Sequence, residues 1–242
     1  NVYDGAAHGV VVSVTGLLAT PTVQYRVGET EDWADASPTF GDVCDTQMWY
    51  RVSAPNYAPV VGSIGIKITK RPVILTSKSD TKVYDGTPLT AHEVAVGGDG
   101  FVDGEGAVVT YSGSQTTVGV SENTFTYTLN ENTSAGNYEI TTVNGMLTVT
   151  KATYPGQEPG GAGIAWSVAP GAATWMYDGR PHGVALTGVP AGVTARLAGH
   201  EAVDAGDYVA TVALDYDAAN YEPPASPAPL AWSIARRPLT LM

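Results

Sequence analysis

Residues 123–151 read NTFTYTLNENTSAGNYEITTVNGMLTVTK, and this stretch decides the fold. Phe125, Tyr127 and Leu129 alternate with Thr124, Thr126 and Thr128, a period of two that puts every second side chain on one face of a strand. A turn-forming stretch follows, then Asn137-Tyr138, then a second run that closes on Val149-Thr150-Lys151. The same alternation recurs in Ile64, Ile66 and Ile68, in Tyr208, Ala210, Val212, Leu214 and Tyr216, and in Leu230, Trp232 and Ile234. Clusters of Gly, Pro, Asn and Asp separate these runs, and no segment carries a sustained helical apolar stripe with caps. The pattern predicts an all-β chain with little or no helix.

Working outward, the markers of this stretch occur three times. Asn-Tyr stands at Asn56-Tyr57, Asn137-Tyr138 and Asn220-Tyr221, spaced by 81 and 83 residues. Tyr-Asp-Gly stands at Tyr3-Asp4-Gly5, Tyr84-Asp85-Gly86 and Tyr177-Asp178-Gly179. Ile68-Thr69-Lys70, Val149-Thr150-Lys151 and Ile234-Ala235-Arg236 each close a run. Three markers in one order, three times, indicate tandem modules. The expected division is a first module over 1–70 lacking its first strand, a second over 71–151, a Gly/Pro-rich linker over 152–163, a third over 164–236, and the start of a fourth over 237–242. Arg236-Arg237-Pro238-Leu239-Thr240-Leu241 repeats the opening of the second module, Lys70-Arg71-Pro72-Val73-Ile74-Leu75. Units of this size with short strands fit antiparallel, immunoglobulin-like two-sheet sandwiches, each with its own core. The junction near residue 70 is expected to be stiff and the 152–163 linker more pliant.

Composition narrows the function classes. The chain has 242 residues, 43% hydrophobic, with a net charge of −12 and 15% charged residues. That is enough apolar material for packed cores and too few charges for a charge-driven disordered chain. The acidic balance repels phosphate backbones and anionic lipid surfaces, so neither nucleic acid nor direct membrane insertion is expected. The one cysteine, Cys44, has no second thiol in the chain to pair with.

The stretches VYDGTPLT (83–90), GDGFVDGEG (98–106), NTFTYTLNENTSAGNYEI (123–140) and GMLTVTK (145–151) together resemble the YDG/MBG-type repeats of large Gram-positive surface proteins and adhesins. WYRVSAPNY (49–57) and DAGDYVATVAL (204–214) extend the resemblance over the first and third modules. It implies extracellular, immunoglobulin-like sandwich modules strung in tandem on a cell-wall-attached protein, and it implies no particular ligand.

Each motif has a structural reading. In Tyr-Asp-Gly, Gly admits positive φ, Asp accepts a local backbone hydrogen bond, and Tyr supplies an apolar ring with a polar tip. Asn-Tyr suits a turn whose Tyr folds back onto neighbouring backbone, as tyrosine corners do. Four histidines, His8, His92, His182 and His200, stand at no ligand or triad spacing, and no G-x-S-x-G is present. Asp99, Asp103, Glu105, Asp215 and Asp217 are the acidic-loop positions with the oxygen chemistry that calcium prefers, yet they match no calcium motif, so no cofactor or metal is expected. Lys70, Lys82 and Lys151 are the candidate lysines for an isopeptide crosslink. The candidate ligand loop combines Asp32 and Asp35 with Trp33 and Phe40, an arrangement of carboxylate and aromatic groups suited to a sugar ring.

The leading functional expectation is a non-catalytic spacer whose modules contact their neighbours and present an adhesive domain. The alternatives are modules that themselves bind host glycan or matrix protein, and an accessory region of a larger extracellular enzyme. Residues 237–242 are also candidates for strand exchange between copies, filling the edge left open in the first module.

Overall fold

The computed structural model describes residues 1–240; Leu241 and Met242, at the start of the fourth repeat, lie outside the described residues. The chain is all-β, with one short 3-10 turn, Ala135–Asn137, and no α-helix among the described residues. It divides into two compact units, one of Asn1–Ser79, Ala91–Gly113 and Glu122–Met146, the other of Asp80–Thr90, Ser114–Ser121 and Leu147–Met242. These units draw on neighbouring repeats and do not follow the repeat borders.

In the first unit, the central strand Cys44–Ser53 pairs antiparallel with Thr22–Val27 and with Val60–Ile68. Met48, at its centre, has no exposure. The short strands His8–Gly9 and Thr39–Phe40 pair separately. From the second repeat, Arg71–Ser77 pairs antiparallel with Val94–Gly98, and Ala107–Tyr111 pairs antiparallel with Phe125–Leu129. Val73, Leu75 and Ser77 are buried while Pro72 and Ile74 are exposed, the alternation a half-buried strand requires. Ser77 is satisfied by donating to the carbonyl of Asn123 at 2.6 Å and accepting from the amide of Gly145 at 2.9 Å. One apolar cluster holds Tyr3 and Ile68 of the first repeat with Val73, Leu75 and Tyr138 of the second. The expectation of one isolated core per module is therefore replaced here by a core shared across residue 70.

In the second unit, Gly206–Asp215 pairs antiparallel with Leu230–Ala235 and with Thr194–Ala198. Its core gathers Ala173, Val184, Ala210, Leu230, Trp232 and Ile234, with Trp166 and Trp175 packed against it. Trp232 stacks on Tyr208 at 4.7 Å, meets Trp175 edge-on at 5.7 Å, and donates its indole N–H to the carbonyl of Gly199 at 2.8 Å. The strands follow the alternation, in a four-stranded sheet accompanied by two two-stranded ones.

Not every pairing is antiparallel. The segment before each Tyr-Asp-Gly runs parallel to the closing strand of its own repeat. Val2 bridges Thr69, Asp80–Val83 pairs with Leu147 to Thr150, and Thr174–Met176 pairs with Ser233 to Ala235. In every case the Tyr amide donates to the closing marker: Tyr3 to Thr69 at 2.9 Å, Tyr84 to Thr150 at 2.8 Å, Tyr177 to Ala235 at 2.9 Å. Two of the three sequence markers thus meet inside each repeat.

Candidate functional site

Each Tyr-Asp-Gly forms the same tight turn. Gly5, Gly86 and Gly179 sit at φ 77°, 79° and 81°, where a side chain is disfavoured. The Asp carboxylate caps the turn by accepting the amide two residues on: Asp4 from Ala6, Asp85 from Thr87, Asp178 from Arg180, each at 2.9 Å. His8 and His182, at equivalent positions, reach the same carboxylates at 2.8 and 2.9 Å, and Lys82 takes that role in the second repeat at 2.6 Å. The backbone bonds and these partners hold Asp4 and Asp178 below the usual carboxylate range, and Lys82 with Thr87 lowers Asp85 strongly. The turn leaves its Tyr ring beside the closing strand.

What that ring receives is the Asn-Tyr of the following repeat. Tyr138 meets Tyr3 edge-on, with centroids 5.5 Å apart at 80°, and Tyr221 meets Tyr84 at 5.5 Å and 83°. The Asn carboxamide oxygen accepts a backbone amide of the preceding repeat in both: Val43 donates to Asn137 at 3.0 Å and Val118 to Asn220 at 3.1 Å. The Asn-Tyr also pairs, in parallel, with the chain just past the closing marker. Tyr138 aligns with Arg71, and Tyr221 bridges Ala152 through bonds of 3.0 and 2.8 Å. All three markers therefore converge on one joint, built twice with the same ring pairing and the same backbone amide donated to the Asn oxygen.

The joints differ in their fillers. In the first, Glu105 bridges the two rings, accepting the Tyr3 hydroxyl at 2.5 Å and the Tyr138 hydroxyl at 2.7 Å. Val102 donates its amide to the Tyr138 hydroxyl at 3.1 Å, and Phe101 packs on the ring at 5.1 Å. Burial, then the Glu105 bond, pushes Tyr138 up to about 12; the Glu105 bond, then burial, raises Tyr3. Asn137 is buried and donates to the Asp42 carboxylate at 2.7 Å. Arg71 clips the edge of the joint through the carbonyls of Gly100, at 2.8 Å, and Tyr3, at 3.3 Å. In the second joint Tyr154 does the filling: it is 4% exposed and stacks flat on Tyr221 at 4.2 Å.

Several expectations change. Ala152 and Tyr154 are buried and paired, so the segment predicted as a linker over 152–163 begins as part of the second joint. The Tyr of Asn-Tyr is not a local tyrosine corner; the corner-like bond is made by Tyr208, whose hydroxyl donates to the Asp204 carbonyl at 2.7 Å. At the candidate ligand loop, Phe40 is half-buried against the shared core, on the strand Thr39–Phe40 that pairs with His8–Gly9. Trp33 has the guanidinium groups of Arg26 and Arg51 each 4.8 Å from its ring centroid, which occupies the surface a sugar would stack on. Asp35 accepts from Gln24 at 2.7 Å, and Asp32 is exposed. Lys82 is held by Asp85 and Thr87, with no Asn carboxamide bonded to it among the described residues. Among the described residues, no group of three His, Cys, Asp or Glu side chains converges as a metal would require. Glu105 and Asp217, acidic-loop positions in the sequence, serve joints: Asp217 accepts the Asn220 carboxamide at 2.8 Å, which lowers its own pKa.

No family model and no curated protein matches the chain. Among solved structures, extracellular domains 3–5 of Drosophila OTK align over 98% of this chain and 93% of that chain, at 11% identity and a TM-score of 0.21. At that score the likeness carries no argument, and the functional reading rests on the joints.

Proposed function

We propose that the chain is a non-catalytic spacer from the repeat region of an extracellular, cell-wall-attached bacterial surface protein of the YDG/MBG-repeat type, holding an adhesive domain away from the cell. The observation that carries this reading is the joint built twice by the same three markers. A device that fixes each module on the next by buried side chains, and that is repeated in register, serves length and stiffness and uses no ligand chemistry. The module-as-glycan-binder reading has less support, since Trp33 is covered by Arg26 and Arg51.

Small-angle scattering of the full chain tests the proposal. Three modules in line have a radius of gyration of about 25–30 Å, whereas a single globule of this length has about 18 Å. The expected result is the larger value, reduced in sharpness of the distance distribution when Asn137→Ala and Asn220→Ala loosen the joints. A value near that of the globule would overturn the spacer reading.

A further inference from the structure

Among the described residues, no Asn-Tyr packs on the third Tyr-Asp-Gly. Tyr177 remains 39% exposed, against 6% for Tyr3. Beside it lies an open pocket of about 650 Å³ lined by Tyr177, Asp204, Ala205 and the segment 236–240. These are the positions that make the first joint. Asp204-Ala205 stands immediately before Gly206–Asp215, as Asp42-Val43 stands immediately before Cys44–Ser53. In the first joint Val43 donates its amide to the Asn oxygen and Asp42 accepts the Asn nitrogen. Among the described residues, no hydrogen bond reaches the Ala205 amide or the Asp204 carboxylate. Arg237-Pro238 follows the closing marker as Arg71-Pro72 does, and Arg71-Pro72 pairs in parallel with Tyr138-Glu139.

We infer that the Tyr177 pocket is a socket for the Asn-Tyr turn and following strand of a further β-module of this repeat type. The Asn carboxamide bonds the Ala205 amide and the Asp204 carboxylate, the Tyr ring meets Tyr177 edge-on, and the strand lies parallel to the segment 237–240. The occupant is a further module whose Asn stands outside the left-handed region, as Asn137 and Asn220 do, rather than a second copy of this chain docking through its exposed Asn56-Tyr57. The exposed Asn56-Tyr57 of such a copy holds Asn56 at φ 68°, a left-handed conformation that neither docked Asn, Asn137 or Asn220, adopts.

This inference deepens the spacer reading by naming what the third Tyr-Asp-Gly takes, but it rests on the socket alone: compact scattering with an occupied socket would defeat the spacer and leave the socket standing. The test is titration of a synthetic peptide with the sequence of residues 131–143, ENTSAGNYEITTV, into the full isotope-labelled chain. Saturable amide shifts are expected at Ala205, Arg237 and Leu239, with affinity at least tenfold weaker for chains carrying Tyr177→Ala or Asp204→Ala and for a peptide carrying Asn137→Ala. Because Tyr177 is exposed, its truncation leaves the fold intact, which the unshifted remainder of the spectrum verifies. Absence of saturable shifts, shifts indifferent to both chain variants, or self-association of the chain abolished by Tyr57→Ala would each overturn the inference.

Discussion

Asn137→Ala isolates the joint from the modules it connects. Asn137 is 3% exposed and makes two bonds that its truncation removes: the Val43 amide at 3.0 Å and the Asp42 carboxylate at 2.7 Å. The Val43 amide is then left partly buried without its acceptor, a loss of about 1–2 kcal/mol, and the bond to Asp42, whose residue is exposed, adds about 1 kcal/mol. The expected total is about 2–3 kcal/mol, which is about 30- to 150-fold in the local opening equilibrium. Native-state hydrogen exchange reads this directly, as a loss of amide protection of that size at Val43 and along Tyr138–Val143, with the centre of Gly206–Asp215 unaffected. The control is Asn56→Gly, at an Asn-Tyr with no preceding repeat in the chain, where glycine keeps the φ of 68° without strain and the expected change is below about 0.5 kcal/mol. Equal effects of the two substitutions would refute the assignment of Asn-Tyr to the joint.

Alkaline pH should weaken the first joint in a defined window. Unfolded, Tyr3 and Tyr138 ionise near 10, whereas in the folded chain Tyr138 is pushed up to about 12 and Tyr3 is also raised, so the unfolded state gives up its protons first. The stability they contribute is complete below pH 10 and declines as pH rises toward 12; urea midpoints across that range should fall less steeply in Tyr138→Phe than in the wild-type chain, and equal slopes would count against the coupling. Gly145→Ala should cost about 1–3 kcal/mol in urea unfolding, because a Cβ there runs into the carbonyl groups of Ser77 and Lys78, while Gly65→Ala, with open space around it, should be near neutral.

The strands were legible because their signal is local. Alternation over five residues, as in Phe125 to Leu129 or Leu230 to Ile234, is enough to fix which side chains face inward, and the strands Phe125–Leu129 and Leu230–Ala235 follow it. The Tyr-Asp-Gly turn was legible for the same reason, its capping bond spanning two residues. The joint was not, since its partners are far apart in sequence and belong to different repeats. A trace of it existed: Tyr3 to Tyr138 and Tyr84 to Tyr221 are 135 and 137 residues apart, a near-constant offset longer than one repeat. Ala152 and Tyr154 were hidden by the Gly/Pro-rich run behind them, whose composition dominates the window. At the ligand loop a Trp among carboxylates looks free in sequence, while Arg26 and Arg51, from the strands Thr22–Val27 and Cys44–Ser53, lie by its ring.

A double-mutant cycle between Tyr84 and Tyr221 probes the joint at its centre, because these rings belong to successive repeats and meet edge-on at 5.5 Å. Urea unfolding of Tyr84→Ala, Tyr221→Ala and the double variant should return a coupling energy of about 0.5–1.5 kcal/mol, the range for such aromatic pairs. Additive effects, with a coupling indistinguishable from zero, would mean that the two markers do not hold one repeat to the next.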